Sequence, residues 1–304
     1  MNPQRLPTTK QLRYFVALAD TKHFGRAAAR CFVSQSAFST AIQDLESLLD
    51  VQLVDRTNRR VAITAQGKEV AVLARLCLQD MQAIVEAAQA HSKPLQGPLR
   101  LGVIPTIAPF LLPRVLPFIR EEFSALQLYL HEDVTGTLYE LLMDGQLDAA
   151  LLALPYELPG AEKTVLFRDQ FLVAAHKGTK LVDPAHYRFN RLNAGSVLLL
   201  REGHCMREHA IEACKIRDSQ KLASFSATSL LTLIEMVDAD LGITFLPEMS
   251  VGSALLQSTD IETHPLKGDN YREIALVWRR GSARSNEFTK LGKFIAEHRR
   301  GQPD

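Results

Sequence analysis

The chain is poor in cysteine and poorer in tryptophan, with four Cys and one Trp among 304 residues. Four scattered thiols make no disulfide framework. That excludes the small stapled secreted scaffolds and points to a reducing, cytoplasmic setting, where cysteine serves packing, metal or redox chemistry. No apolar run approaches ~18 residues, the length a membrane-crossing helix needs, so no membrane partner is expected. The first residues, MNPQRLPTTK, lack an apolar stretch after the positive charge, and a signal peptide is not expected. Internal repeats and low-complexity tracts are lacking too. What is present is an ordinary globular composition, 46% hydrophobic and 23% charged, in a chain long enough for two or more domains.

The net charge of +1 is uninformative, but its distribution is not. Residues 1–66 hold nine Lys and Arg against five Asp and Glu, a net of +4, which leaves −3 for the remainder. A basic N-terminal module on a slightly acidic body attracts phosphate at one end only.

Apolar spacing predicts a helix over Thr9 to Asp20 (Leu12, Phe15, Val16, Ala19) and a short alanine-rich one over Arg26 to Phe32. Val33 makes a turn, and Ser34 is a good N-cap for a third helix with a buried stripe of Phe38, Ile42, Leu45 and Leu49. Two β-prone runs between Val51 and Thr64 read as a hairpin around a basic tip at Thr57 to Arg60. From Ala65 to His91 the pattern is helical. Val70, Leu73, Cys77, Met81, Ile84 and Ala88 form an apolar seam that a second copy of the chain would cover. After a linker at 91–98, strand-like runs at 99–104, 126–130, 148–154, 171–175, 197–200, 243–245 and 274–278 alternate with helices, as in an α/β domain with a largely parallel sheet. The expected organisation is thus multidomain. An all-α winged helix-turn-helix DNA-binding domain (1–66) leads through a linker, or dimerisation, helix and hinge (67–97) to a two-lobed α/β sensor domain (98–304).

A recognition helix presents short polar side chains to base edges while a preceding helix braces it. Gln35, Ser36, Ser39, Thr40 and Gln43 occupy the polar side of the third helix, and Arg56, Arg59 and Arg60 at the wing suit phosphates or a minor groove. Periodicity alone allows a plain solvated face equally well.

The second informative segment is REGHCMREHAIEACK, residues 201–215, with Cys205 and Cys214 nine positions apart. Gly203 precedes a helical pattern, so Cys205 falls near a helix N-terminus, where the dipole, His204 and Arg207 would favour the thiolate. Nine helical steps hold two Cα atoms ~13 Å apart, whereas a disulfide needs about 4.4–6.8 Å. Bridging would therefore require the intervening helix to melt. The residues also allow a core cysteine at 214 beside an incidental thiol at 205. A metal held by His204, Cys205, His209 and Cys214 is a third option, although closed sites favour tighter spacing.

The stretch from Gln11 to Gly67 resembles the LysR-type regulators. The matching landmarks are Phe15, Phe24, Ala27-Ala28, Val33-Ser34-Gln35-Ser36, Ile42, Leu45-Glu46, Leu53, Arg56, Thr64 and Gly67. Val54 departs from the Phe common there, a change in core filling. The remainder resembles the family's periplasmic-binding-protein-like sensor. The resemblance implies a homodimer through the long helix, often a homotetramer through the sensor domains, binding to interrupted dyads in double-stranded promoter DNA, and RNA polymerase as a partner. Most members bind a small metabolite between the lobes, and that is the alternative reading here.

Gly203-His204-Cys205-x-Arg207 followed by Cys214, then Ala227-Thr228-Ser229-Leu230, Gly242-Ile243-Thr244-x-Leu246-Pro247 and Ile104-Pro105-Thr106-Ile107, are similar to the hydrogen peroxide-sensing (OxyR) subgroup. So is Tyr129-Leu130-His131-Glu132 with Thr135 after it. That resemblance makes Cys205 the peroxidatic and Cys214 the resolving cysteine. It places Thr106, Thr135, His204, Arg207 and Arg272 around a peroxide pocket, and it implies a glutaredoxin- or thioredoxin-like thiol reductant. Ser226 stands where the subgroup commonly has Arg. Cys31 and Cys77 are assigned packing roles. No cofactor or metal is expected. A molecule that reacts once and waits for a reductant is not expected to be an enzyme, although a thiol peroxidase is the rival reading from that class.

Overall fold

Thr8 opens the first helix with a reciprocal cap: its hydroxyl accepts from the Gln11 N–H, and the Gln11 side chain accepts from the Thr8 N–H. The computed structural model describes residues 6–57, 60–88, 95–183, 192–213, 219–266 and 268–301. They form two compact units, the first of residues 1–92 with 144–146 and the second of residues 93–143 and 147–304.

In the first unit α1 (Thr9–Thr21), α2 (Phe24–Arg30) and α3 (Gln35–Leu49) enclose a core of Tyr14, Phe15, Leu18, Ala27, Ala28, Phe38, Ile42 and Leu45. Tyr14 stacks on Phe38 at 5.1 Å, and Phe24 meets the same ring edge-on at 6.2 Å. Helix α2 starts and ends earlier than the apolar spacing predicts. His23 caps its start by accepting from the Arg26 N–H. At its end Phe32 takes a positive φ of 57° and leaves its ring almost wholly in solvent. Ser34 caps α3 by accepting from the Ala37 N–H.

Strands β1 (Val54–Thr57) and β2 (Arg60–Ile63) pair antiparallel, Thr57 opposite Arg60. The Glu46 carboxylate accepts from the N–H groups of both Leu53 and Val54, at 2.8 and 3.0 Å, and so ties α3 to the base of this wing. Helix α4 (Ala65–Ala88) starts against the same place: the Thr64 hydroxyl accepts from the Gly67 N–H and donates to the Gln52 carbonyl. Any Cβ at position 67 would lie 2.2 Å from the Leu53 carbonyl oxygen, so only glycine fits.

The faces of α4 divide more finely than the single seam. Ala71 and Ala74 are buried and Val70 packs on the domain core, whereas Leu73 (65% exposed), Cys77, Met81 and Ile84 (68%) face solvent. The packing role expected of Cys77 is therefore not met within one chain. Cys31 does pack, half-buried, against the core of the first unit, and burial raises its thiol pKa.

The second unit is built on a seven-stranded sheet. Strand β3 (Gly97–Val103) runs parallel to β4 (Leu126–Glu132) and β5 (Ala149–Leu154), with α5 (Ala108–Glu122) and α6 (Thr135–Met143) in the crossovers. Every residue of β5 is buried, which matches its unbroken apolar run. The expectation of a largely parallel sheet needs correction. Strand β11 (Tyr271–Arg279) is antiparallel to β5, and β6 (Ala161–His176) is antiparallel to β11, β9 (Thr244–Pro247) and β10 (Ile261–Pro265).

The physical reason is the two-lobed plan. The 16-residue β6 pairs with β11 up to Gln170 and with β9 and β10 from Phe171, so one strand carries the chain from the first lobe into the second. The second lobe adds the parallel pair β7 (Val197–Leu200) and β8 (Leu222–Ala227), with α7 (Cys205–Ala213), α8 (Leu230–Asp238) and the short α9 (Ala254–Gln257). Helix α10 (Ser285–His298) returns to the first lobe, with Phe288, Leu291 and Ile295 buried.

Candidate DNA-reading face and buried thiol site

Two features stand out, one in each unit. In the first, Gln35, Ser36, Thr40 and Gln43 lie exposed on α3 and Ser39 is half-buried. The Ser36 hydroxyl lies 3.2 Å from that of Ser34, and the Thr40 hydroxyl donates to the Ser36 carbonyl, which stiffens the leading turn. Arg56 falls in β1 and Arg60 in β2, while Arg59 lies outside the described residues.

In the second unit, Gly203 turns the chain with φ +95°, a conformation open to glycine, and delivers Cys205 as the first residue of α7. The Cys205 thiol is buried. Residues 206–213 are helical, as the sequence pattern predicts, and Cys214 lies outside the described residues.

Four elements meet at the Arg272 guanidinium of β11, which has no exposure at all. Its Nε donates to Asp169 Oδ2 at 3.0 Å, its Nη1 to the Thr106 hydroxyl at 2.8 Å and its Nη2 to the Thr106 carbonyl at 2.9 Å. The second Asp169 oxygen accepts from the Met249 N–H, and the Met249 sulfur lies 3.8 Å from Nη2. A charge taken wholly out of water is tolerated only with such complete pairing. Asp169 and Met249 carried no signal in the sequence, because a buried aspartate in a strand reads like any surface one.

Burial dominates the Cys205 thiol and pushes its pKa up. The Thr135 hydroxyl and the Arg272 charge act against that, and Glu208 adds to it. This corrects the expectation that His204 and Arg207 stabilise the thiolate. His204 is itself buried, its pKa lowered by desolvation and then by Arg201. Arg207 turns its Nη1 to the Leu200 carbonyl at 3.3 Å.

Thr135, the first residue of α6, is buried beside the thiol, yet its hydroxyl closes no hydrogen bond of regular geometry. The arrangement gathers a sulfur nucleophile, a hydroxyl with unused capacity and a fixed cation. Ser226, in β8, is exposed and adds nothing to it.

A basic helix-turn-helix unit joined to a two-lobed α/β unit with a buried polar centre defines a DNA-binding transcription regulator with a sensor domain. Residues 9–68 match the bacterial regulatory helix-turn-helix protein, lysR family, and residues 92–300 match the LysR substrate binding domain. The chain belongs to the LysR family.

Among its relatives, the HTH-type transcriptional regulator EstR of Acinetobacter baylyi is 37% identical, covering 93% of this chain and 94% of its own. The probable hydrogen peroxide-inducible genes activator of Streptomyces viridosporus is also 37% identical, covering 99% and 97%. Full-length OxyR of Pseudomonas aeruginosa, solved as a cysteine-to-aspartate variant, superposes with a TM-score of 0.84 at 33% identity over 99% of both chains.

Proposed function

We propose that the protein is a peroxide-responsive transcription activator whose switch is oxidation of Cys205 followed by a Cys205–Cys214 disulfide. The observation that carries this reading is the buried thiol at the start of α7, flanked by the Thr135 hydroxyl and by Arg272, which Asp169 and Thr106 hold in place. The peroxide-inducible relatives and the OxyR structure support it.

In this scheme the Cys205 thiolate attacks one peroxide oxygen, the O–O bond breaks, and the departing hydroxide takes up a proton to leave as water. Thr135 donates to the peroxide, and the Arg272 cation stabilises charge on the leaving oxygen, as preorganised donors do. His204 and Arg207 shape the approach. The Cys205 sulfenic acid then condenses with the Cys214 thiol and releases a second water. A dithiol reductant reverses the bond, so the protein acts as a sensor rather than a peroxidase.

The reading face of α3, with Gln35, Ser36, Ser39, Thr40 and Gln43, supplies base contacts in the major groove. Arg56, Arg59 and Arg60 supply phosphate contacts. Dimers form along the exposed face of α4, sensor domains pair to give tetramers, and bound RNA polymerase is the output.

The test is mass analysis of the intact chain, without reductant, after one equivalent of hydrogen peroxide. A peptide linking Cys205 to Cys214 is expected. Oxidation that spares Cys205, or a Cys205→Ser variant that answers peroxide like the parent, overturns the reading in favour of a metabolite-responsive regulator.

A further inference from the structure

Among the described residues, Lys22, Phe32, Asp50, Leu95 and Asp240 are the non-glycine residues with a positive φ. Lys22, Asp50 and Asp240 are exposed and polar, so water receives their side chains. Leu95 is 1% exposed and packs in the core of the second unit, which offsets its backbone cost. Phe32 combines the left-handed backbone with a ring that is 94% exposed, more than any other large hydrophobic residue described.

The turn it occupies is one that glycine suits. Helix α2 ends at Cys31, the Phe32 N–H donates to the Ala29 carbonyl, and the Val33 N–H donates to the Ala28 carbonyl, both at 3.1 Å. Those two bonds make a Schellman ending, whose left-handed position favours Gly or Asn because a Cβ crowds the backbone there. A bulky residue is an outlier at such a φ. The ring strains the turn and gains no packing in return, so the chain by itself derives nothing from it.

Its place in the fold says what it meets. Ser34 caps α3 two residues later, and the exposed Gln35 and Ser36 begin the reading face. Three steps of about 3.8 Å keep the Phe32 Cα within about 11 Å of that of Gln35, roughly three base-pair steps. Arg30, Ser34, Gln35 and Ser36 around the turn are exposed and polar, while Cys31 and Val33 pack half-buried on the core. A single ring in polar surroundings makes a poor protein-docking patch, because the strong contacts of such patches cluster. It matches a groove that is polar apart from isolated methyl groups.

We propose that Phe32 is a further specificity-determining residue whose ring covers the 5-methyl group of a thymine, beside the bases that α3 reads in the major groove. This inference rests on the proposed base-reading role of α3. The ring has neither charge nor hydrogen bond to offer a phosphate, and among the groups that base edges expose in the major groove the thymine methyl is the apolar one. Contact removes both ring and methyl from water. The turn therefore holds the ring outward at a cost to the free protein that is offset on the operator.

The test uses the full-length chain and the duplex it prefers, selected from random sequence. Each thymine is then replaced in turn by deoxyuridine, which removes the methyl alone. One replacement should weaken the parent about three- to fivefold, the worth of one buried methyl. Phe32→Asn, which tolerates the left-handed turn, should bind the unmodified duplex more weakly by at least that factor and lose its sensitivity to that deoxyuridine. Phe32→Leu should keep part of the sensitivity. The salt slope should not change, since no phosphate contact is removed. In a thermal melt Phe32→Asn should match or exceed the parent.

Deoxyuridine penalties that are the same in Phe32→Asn as in the parent overturn the thymine contact. So does a Phe32→Asn chain that binds every duplex as the parent does; if it also fails to activate transcription, the ring serves a protein partner instead. A lower melting temperature in Phe32→Asn shows that the fold does gain from the ring and overturns the inference at its start. Gln35→Ala separates this inference from the reading beneath it. A preference altered by Gln35→Ala but not by Phe32→Asn leaves α3 as the reader and removes Phe32, whereas a parent chain with no preferred duplex removes both.

Discussion

Arg272 and Asp169 form a salt bridge of 3.0 Å from which water is excluded on both sides, the guanidinium having no exposed surface and the carboxylate almost none. A buried pair of this kind stabilises little relative to an apolar substitute, but removing one partner strands the other charge. Arg272→Met is expected to cost about 3–5 kcal/mol in denaturant unfolding. Arg272→Met/Asp169→Asn should cost distinctly less than the single change. A double variant as unstable as the single one would show that Asp169 is not stranded.

Thr135 and Thr106 have different duties although both are buried threonines. Thr135→Val removes a group that lowers the Cys205 pKa, so the thiol should titrate higher still and alkylation at fixed pH should slow. Thr106→Val deprives Arg272 Nη1 of its acceptor, an unpaired buried donor worth about 1–3 kcal/mol of stability. Iodoacetamide kinetics against pH and a chemical melt separate the two effects. Equal loss of reactivity and stability in both variants contradicts the division.

Acid should loosen the second unit. His204 and His209 have pKa values lowered by burial from the ordinary 6.5, so they stay neutral in the folded chain where the unfolded chain already binds protons. Stability contributed by these groups is present above 6.5 and is lost as pH falls through the depressed folded values. A thermal melt from about pH 7.5 to about pH 5.5 should show a falling Tm. His209→Gln, which keeps a donor for Pro155, should flatten part of that slope.

The exposed stripe of α4 is expected to hold two copies together. Leu73→Glu or Ile84→Glu should give monomers in sedimentation and abolish operator binding, because paired half-sites need paired readers. Full operator binding by a monomeric Leu73→Glu chain contradicts the assignment.

On the reading face, Gln35→Ala or Ser36→Ala should relax base preference by about 1–3 kcal/mol for each base edge the side chain no longer reaches. Arg59→Ala should weaken binding to all sequences and reduce the salt slope by about one unit. Competition binding across a panel of altered operators distinguishes these outcomes.

Much of the first unit was legible because each element is short, locally capped and locally periodic: Thr8, Ser34 and the stripe Phe38, Ile42, Leu45 are all visible within a few residues of what they stabilise. The sensor strands that were legible, such as β5 and β7, are buried on both faces and read as unbroken apolar runs. Strands β8 and β10, and the first half of β6, carry alternating polar residues and pass as loops. Cys205 was legible from Gly203 and the helical pattern that follows. Its electrostatic surroundings were not, since Thr135 and Arg272 are 70 and 67 positions away and reach it only through the packing of separate elements. The charges adjacent in sequence, His204 and Arg207, point to other partners.

Gly67 gives the first unit a mechanical property. With the Leu53 carbonyl filling the space where a side chain would stand, the opening turn of α4 and the base of the wing have no clearance between them. Glu46 fastens α3 to that same base through two backbone N–H groups. Reading helix, wing and long helix therefore turn as one lever whose fulcrum is the hairpin base. A swing applied to α4 is therefore expected to be felt at α3.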